Sequence, residues 1–202
     1  MSGGARRTKR PWSPLLAAAA SLCAAIFGPH ALAATPEAAA APKGPTSCRG
    51  TDLTPAPGNS ASIASATLCL IDRIRAAWHL GPVRANAALR AVAASQVRSM
   101  VRWNYFADVR PSGQTPLALI GRTRYRLHAS SVSVAQNIAW GTGPGATPAR
   151  IVAAWMASPP HRGVILTRSF RDAGVAAIAA VPSRIAQGSL GATYAIEFGV
   201  RR

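Results

Sequence analysis

Apolar residues recur at helical spacing in the segment that follows residue 60. Six positions fall within about a third of a helical wheel: Ile63, Thr67, Leu70, Ile71, Ile74 and Trp78. Ser60 or Ser62 is a suitable N-cap for this segment, and Gly81-Pro82 is a typical C-terminal stop. The pattern therefore predicts a first helix with one buried face.

A second helix is predicted from the N-cap Asn86 to about Trp103. Its apolar face contains Leu89, Val92, Ala93, Met100 and Trp103, and its opposite face contains Arg90, Arg98 and Arg102. Gln96 is a polar residue within the apolar face. Either it lies at a rim and bonds to water or backbone, or its side chain faces a cleft.

The middle of the chain alternates between helical and strand patterns. A short helix is predicted from Thr115-Pro116 to about Arg122, and Ala135 to Trp140 has the composition of a strand. Thr147 can cap a further helix with Pro148 at its first position, and Pro159-Pro160 should end it.

Two β segments close the chain, from Ala173 to Val181 and from Ala192 to Val200. In the second, Glu197 alternates with Tyr194, Ile196 and Phe198, so a half-buried strand would direct it away from the aromatic side chains. Helices combined with an antiparallel pair predict an α+β domain built in layers.

The first 33 residues have the organisation of an export signal. A basic start from Arg6 to Arg10 precedes an apolar run from Leu15 to Phe27 and a cleavage pattern at Ala31-Leu32-Ala33. The run is short of the roughly 20 residues of a membrane span, although an uncleaved anchor is the alternative. Residues 34–60, rich in alanine and proline, are interpreted as a flexible tether, which leaves residues 61–202 as one domain.

Export changes what the charge and the cysteines imply. Removal of four basic residues leaves 23 − 4 = 19 against 6 acids, a net charge of +13 that favours anionic surfaces. An exported protein meets anionic cell-wall polymers or lipid headgroups, so nucleic acid is not expected as its partner; an arginine-rich solvated surface without a partner is the alternative. Cys48 and Cys69 remain as a pair and predict one disulfide. Cys69 lies away from the apolar face of the first helix.

Six short motifs, in order along the chain, resemble one protein family. They are Leu68–Arg75, Ala85–Arg90, Asn104–Phe106, Asn137–Gly141, Trp155–Arg162 and Tyr194–Gly199. Together they resemble the bacterial branch of the CAP superfamily, whose SCP domain occurs in cysteine-rich secretory proteins, insect venom antigens and plant pathogenesis-related proteins. The resemblance implies an α-β-α sandwich with a small antiparallel sheet between helical layers, and an extracytoplasmic location.

The resemblance also implies a cleft in which two histidines and two glutamates can hold zinc. Only the second histidine is retained, as His161; the first falls on Asp108 and one glutamate falls on Gln136. The other acid falls around Ala157 or Ser158, and Gln96 stands where bacterial relatives often carry histidine. His161 and Asp108 are too few for a normal zinc site, and Gln136 cannot transfer a proton.

We therefore expect a monomeric, non-catalytic binding module of the cell envelope that needs no cofactor. Its ligand would be an anionic wall polymer or a lipid. The predicted ligand cleft contains Gln96, Asp108, Gln136, Asn137 and His161. The alternative is a metal-assisted hydrolase of the envelope in which Asp108 and His161 are the catalytic candidates and His161 is a metal ligand.

Overall fold

A computed structural model describes residues 47–186 and 189–202. The predicted signal at residues 1–33 and residues 34–46 of the predicted tether lie outside this part of the chain. Residues 47–59 form turns, and the Thr51 carbonyl accepts a hydrogen bond from the Ala149 amide. None of the helices in the described ranges is long and apolar enough to cross a membrane.

A four-stranded sheet lies at the centre of the domain. Its strands are β1 (Arg84–Ala85), β2 (Val132–Thr142), β3 (Asp172–Ile178) and β4 (Gly191–Arg201), in the spatial order β1-β3-β4-β2. Strand β4 pairs antiparallel with both β2 and β3, and the short β1 pairs parallel with β3. The predicted antiparallel pair at the C-terminal end is thus confirmed by β3 and β4, and β2 and β1 form the two edges.

Helices cover both faces of this sheet. They are α1 (Ser60–Ala77), α2 (Ala87–Arg102), α3 (Pro116–Ile120), α4 (Pro148–Ala157), α5 (Pro159–Ile165) and α6 (Ser183–Ala186), with 3₁₀ turns at Arg124–Arg126 and Gly143–Ala146. Helices α1, α4 and α5 pack on one face with the aromatic side chains of β4, and α2 packs on the other. The α-β-α sandwich expected from the sequence is therefore present.

Strand β4 is buried on both faces, and this corrects one expectation from the sequence. Its residues from Ala192 to Gly199 are all buried, so β4 is not the half-buried strand that alternation predicted. The predicted orientation holds, because Tyr194 and Phe198 face α1 and α4 while Ala195 faces α2. Glu197, which alternates with the aromatic residues, consequently lies between two layers and away from solvent.

Close contact between α2 and β3 depends on a glycine. A Cβ atom at Gly174 would lie 2.0 Å from the Arg90 amide nitrogen and 2.3 Å from the Leu89 carbonyl carbon. No side chain fits in that space, so glycine allows the first turn of α2 to rest directly on the strand.

Most helix starts follow the predicted caps. The Asn86 side chain accepts from the amides of Ala88 and Leu89, and the hydroxyls of Thr115 and Thr147 cap α3 and α4. One prediction was wrong, because the N-cap of α1 is Asn59 and not Ser60 or Ser62. The prediction that Pro159-Pro160 ends α4 is confirmed, but Pro159 also begins α5, since proline is tolerated in a first helical turn.

Two of the tryptophans differ from expectation, and one is buried. Trp155 is 1% exposed, and its indole donates to the Ile138 carbonyl at the edge of the sheet. Trp78 and Trp103, assigned to buried helix faces by periodicity, are 57% and 65% exposed. Each is the C-cap residue of its helix, where the neighbouring layer no longer covers the side chain.

Two links hold α1 to the rest of the domain. The predicted disulfide between Cys48 and Cys69 is present, with a Cα–Cα distance of 5.6 Å. Arg75 is fully buried and donates to the carbonyls of Gly81, Ile165, Thr167 and Phe170 at 2.7 to 3.3 Å. This one side chain therefore connects α1 to the end of α5 and to the loop that leads into β3.

Replacing Arg75 with alanine should lower the free energy of unfolding by about 3 kcal/mol or more, because several buried carbonyls lose their donor. The measurement is chemical denaturation followed by circular dichroism. Arg73→Ala is the matched control, since Arg73 is exposed on the same helix and should change stability by less than about 0.5 kcal/mol. Equal effects of the two substitutions would contradict the role of Arg75.

Candidate functional site

The site begins with one cross-strand pair. Gln136 on β2 lies directly opposite Glu197 on β4, and directly opposed residues of an antiparallel pair point to the same face. That face is the one covered by α2. The Gln136 side-chain amide donates a hydrogen bond to Oε1 of Glu197.

Glu197 is a carboxyl group without access to solvent. It is 0% exposed, and burial raises its pKa from 4.5 to about 7. The bond from Gln136 acts in the opposite direction, the charge of Asp108 raises the pKa further, and Arg110 lowers it. Near neutral pH, a large fraction of Glu197 therefore carries a proton.

Unpaired buried oxygens at this pair agree with a protonated Glu197. Oε1 of Gln136 and Oε2 of Glu197 are buried, and neither has a hydrogen-bond donor from another described residue. A proton on Oε2 makes that oxygen a donor, and Oε1 of Gln136 is an acceptor on the adjoining side chain. The amide and the neutral acid are thus complementary, and we interpret them as a neutral pair.

Gln96 holds the loop beside this pair. It is fully buried on α2, and its amide nitrogen donates to the carbonyls of Ala107 and Asp108 at 2.9 and 3.3 Å. The sequence left two interpretations of Gln96 open. The structure shows the one in which Gln96 bonds to backbone, but Gln96 is buried and does not lie at a rim. Its contribution to the site is to position Asp108.

Arg110 completes this anchoring. Its Nε donates to the side-chain oxygen of Gln96 at 3.1 Å, and its Nη2 donates to the Ser95 hydroxyl at 2.8 Å. Its positive charge also acts on Glu197. Both the amide nitrogen and the amide oxygen of the Gln96 side chain are therefore bonded to the loop after α2, which holds this loop against the helix.

Asp108 and His161 approach each other at the mouth of the site. Asp108 is exposed as a residue, yet partial burial of its carboxyl raises its pKa, and the nearby His161 side chain opposes this rise. In the described residues, no hydrogen bond joins the two side chains. They are close enough to interact electrostatically.

Asn137 belongs to a different face of the sheet. Consecutive strand residues point in opposite directions, so Asn137 faces α5 while Gln136 faces α2. Asn137 is buried and donates to the main-chain carbonyl of His161 at 3.0 Å. It therefore positions α5, and through α5 His161, and does not line the same surface as Gln136.

A resident zinc ion does not fit these residues. Within residues 47–186 and 189–202, no group of three or more histidine, cysteine, aspartate or glutamate side chains is arranged to hold a metal ion. A protein zinc site normally has three or four protein ligands. The ligand set implied by the sequence resemblance is thus not assembled here.

Sequence reasoning missed Glu197 and Arg110 as members of the site. Glu197 is a charged residue within the apolar run from Tyr194 to Val200. Because a strand between two helical layers exposes neither face, this position could have indicated a buried carboxyl group. Arg110 carried no comparable signal. It lies in a loop, among many arginines, and only the folded loop brings it to Gln96.

Solved structures from three bacteria are similar to this domain. An outer surface protein from Borrelia burgdorferi has a TM-score of 0.52 and 18% identity, and the matched region covers 66% of this chain and 88% of the Borrelia chain. An extracellular protein containing an SCP domain, from Bacillus anthracis, has a TM-score of 0.55 and 19% identity, covering 71% of this chain and 41% of its own. A cysteine-rich secretory protein from Staphylococcus aureus has a TM-score of 0.51 and 16% identity, and the matched region covers 71% of this chain and 40% of the Staphylococcus chain. At these identities the similarity establishes the fold alone.

Sequence comparison adds a family match. The model of CAP, the cysteine-rich secretory protein family, matches residues 68–180, which is more than half of the 202 residues. No curated protein matches the chain. The matched range includes Gln96, Asp108, Gln136 and His161, and it ends before Glu197.

The raised pKa of Glu197 predicts a specific dependence of stability on pH. In the unfolded chain the carboxyl ionises near pH 4.5, whereas in the folded chain it stays protonated until about pH 7. Stability contributed by this group is therefore full below pH 4.5 and is lost as the pH rises to about 7, by about 3 kcal/mol. Glu197→Gln should flatten this loss, as measured by urea denaturation at several pH values.

Asp52→Asn is the control for this experiment, because it also replaces one carboxyl by an amide, at an exposed position. It should keep the wild-type dependence of stability on pH. If Glu197→Gln and wild type lose the same stability between pH 5 and pH 8, Glu197 is not a neutral acid in the folded protein.

Proposed function

Because the chain belongs to the CAP family of cysteine-rich secretory proteins, we propose that it is an exported binding module of the bacterial cell envelope and not an enzyme. The observation that carries this proposal is the neutral pair of Gln136 and Glu197, in which Gln136 stands where the family resemblance implies a glutamate. The described domain also has a large excess of basic residues.

The site supports recognition better than catalysis. Glu197 has a pKa of about 7, which suits acid–base chemistry at neutral pH, but it is 0% exposed and bonded to Gln136. A general acid or base must come within hydrogen-bond distance of the substrate, which this burial prevents. Asp108 and His161 at the mouth can instead bind a polar group of a ligand by hydrogen bonds.

Export and charge indicate where such a ligand is found. The Borrelia relative is described as an outer surface protein and the Bacillus relative as extracellular, which supports an extracytoplasmic location for this chain. A disulfide between Cys48 and Cys69 is compatible with an oxidising compartment. The predicted mature charge of +13, from 19 basic and 6 acidic residues, favours anionic wall polymers or lipid headgroups.

We expect the mature protein to be retained by isolated bacterial cell wall at low ionic strength and released as salt is added, since exposed charges are screened over about 8 Å at physiological salt. The measurement is a pull-down across a salt series, with an anionic protein of similar size as the control. Absence of retention at the lowest salt would refute envelope binding.

A metal-assisted hydrolase is the second candidate, and the electrostatic interaction of Asp108 with His161 is the observation in its favour. These two residues would be its catalytic candidates. Gln136 and the buried Glu197 are unsuitable for extending this pair to a complete metal site.

Calorimetric titration with zinc distinguishes the two candidates. We expect no saturable binding at micromolar zinc, because within residues 47–186 and 189–202 no three histidine, cysteine, aspartate or glutamate side chains are arranged to hold a metal ion, and Asp108 and His161 alone are too few. Binding in the low micromolar range that is abolished by His161→Ala and retained by His128→Ala would instead support the hydrolase. His128 is the matched control because it is an exposed histidine in a loop.

A further inference from the structure

Three arginines form a row along the outer side of α2. Arg90, Arg98 and Arg102 are exposed and make no side-chain hydrogen bond to another described residue. They span about 18 Å of the helix, at a rise of 1.5 Å per residue. Trp103, which is 65% exposed, follows at the end of the row, and the Arg102 guanidinium lies 5.3 Å from the centre of its ring.

Three adjoining cavities follow this row. The first, of about 390 Å³, lies between α1, α2 and β3 and is bordered by Arg90 and Arg98. The second, of about 460 Å³, shares Arg98 with it and extends to Arg102 and Trp103. The third, of about 360 Å³, shares Trp103 and Arg110 with the second. Neighbouring cavities share wall residues and follow one another along α2, and we call the three together the α2 groove.

Small side chains keep the α2 groove open. Ala87, Ala91 and Ala94 recur at helical spacing on the side of α2 that borders it, and Ala176 and Ala177 line the opposite side on β3. Strand β1 ends at Ala85, so it pairs with β3 only as far as Ala173 and leaves this part of the β3 edge uncovered. The groove is therefore long, shallow and bordered by backbone as well as by methyl groups.

The charge along the groove has one sign. None of the residues that line the three cavities is acidic, whereas four arginines do so. One of them, Arg110, is bonded to Gln96 and Ser95, and the three arginines of the row are not engaged in this way. Fixed positive charges beside a groove favour a ligand with repeated negative charges.

We propose that the α2 groove binds a linear anionic polysaccharide of the envelope, whose carboxylate or phosphate groups pair with Arg90, Arg98 and Arg102. This inference rests on the proposed envelope function and assigns it to a surface outside the cleft of Asp108 and His161. An elongated groove fits an extended chain, whereas a lipid surface would require a flat or protruding face with apolar side chains.

The test compares wild type with Arg90→Gln/Arg98→Gln/Arg102→Gln on isolated cell wall at fixed salt. We expect about tenfold weaker retention, since three exposed charge pairs are lost. The matched control is Arg73→Gln/Arg150→Gln/Arg168→Gln, which removes the same charge from exposed arginines elsewhere and should reduce retention much less. Unchanged thermal unfolding checks that both variants are folded.

A second variant tests the groove without changing charge. Ala91→Phe places a ring in the first cavity at an exposed position, so it should also weaken retention if a chain lies there. Soluble polygalacturonate, a linear polymer of uronic acids, should compete with cell wall for wild type. Failure of this polymer to compete would count against the proposal.

The outcomes separate this inference from the proposed function. If wild type is retained and both triple variants lose retention equally, envelope binding stands and the α2 groove is not its surface. If the row variant loses binding to vesicles of phosphatidylglycerol and phosphatidylcholine but keeps binding to wall, the row serves a membrane and the proposal is wrong. If wild type is not retained at all, both the proposed envelope function and the inference about the α2 groove are wrong.

Discussion

The pairing of β2 with β4 is the constraint on which the site depends. The register runs without interruption from Val132 opposite Arg201 to Thr142 opposite Gly191. Because side chains alternate with a period of two, this register decides the face of every residue in both strands. A slip by one position would bring Gln136 opposite Ile196 or Phe198, and the amide would then have no acid to bind.

The two helical layers turn this register into an electrostatic constraint. Strand β4 is covered on both faces, so a carboxyl at Glu197 must be buried. An isolated buried charge is costly, and protonation lowers that cost, which accounts for the raised pKa. The same burial that stabilises the neutral pair also removes Glu197 from contact with a substrate. In the functions proposed above, ligand contacts are therefore assigned to groups at the surface, which are Asp108 and His161 and the arginines of α2.

Local signals predicted much of the architecture. Asn86 and Thr147 cap the helices expected from them because capping depends only on neighbouring amides. Periodicity was less informative at helix ends, where Trp78 and Trp103 continue the apolar stripe of a wheel but extend past the covering layer. Helix α5 was missed because its prolines were interpreted only as a stop. Gln136 and Asn137 were grouped as neighbours in sequence, although a strand directs them to opposite faces.

The sequence by itself determined most of the longer helices and strands, the cysteine pair, the family resemblance and the small set of ionisable residues available for chemistry. These depend on local spacing and on residue identity. Only the tertiary structure decided that Glu197 meets Gln136, that Arg110 binds Gln96, and that the arginines of α2 border an open groove. Such contacts join residues distant in the chain, and their distances follow from strand register and layer packing, which no local pattern specifies.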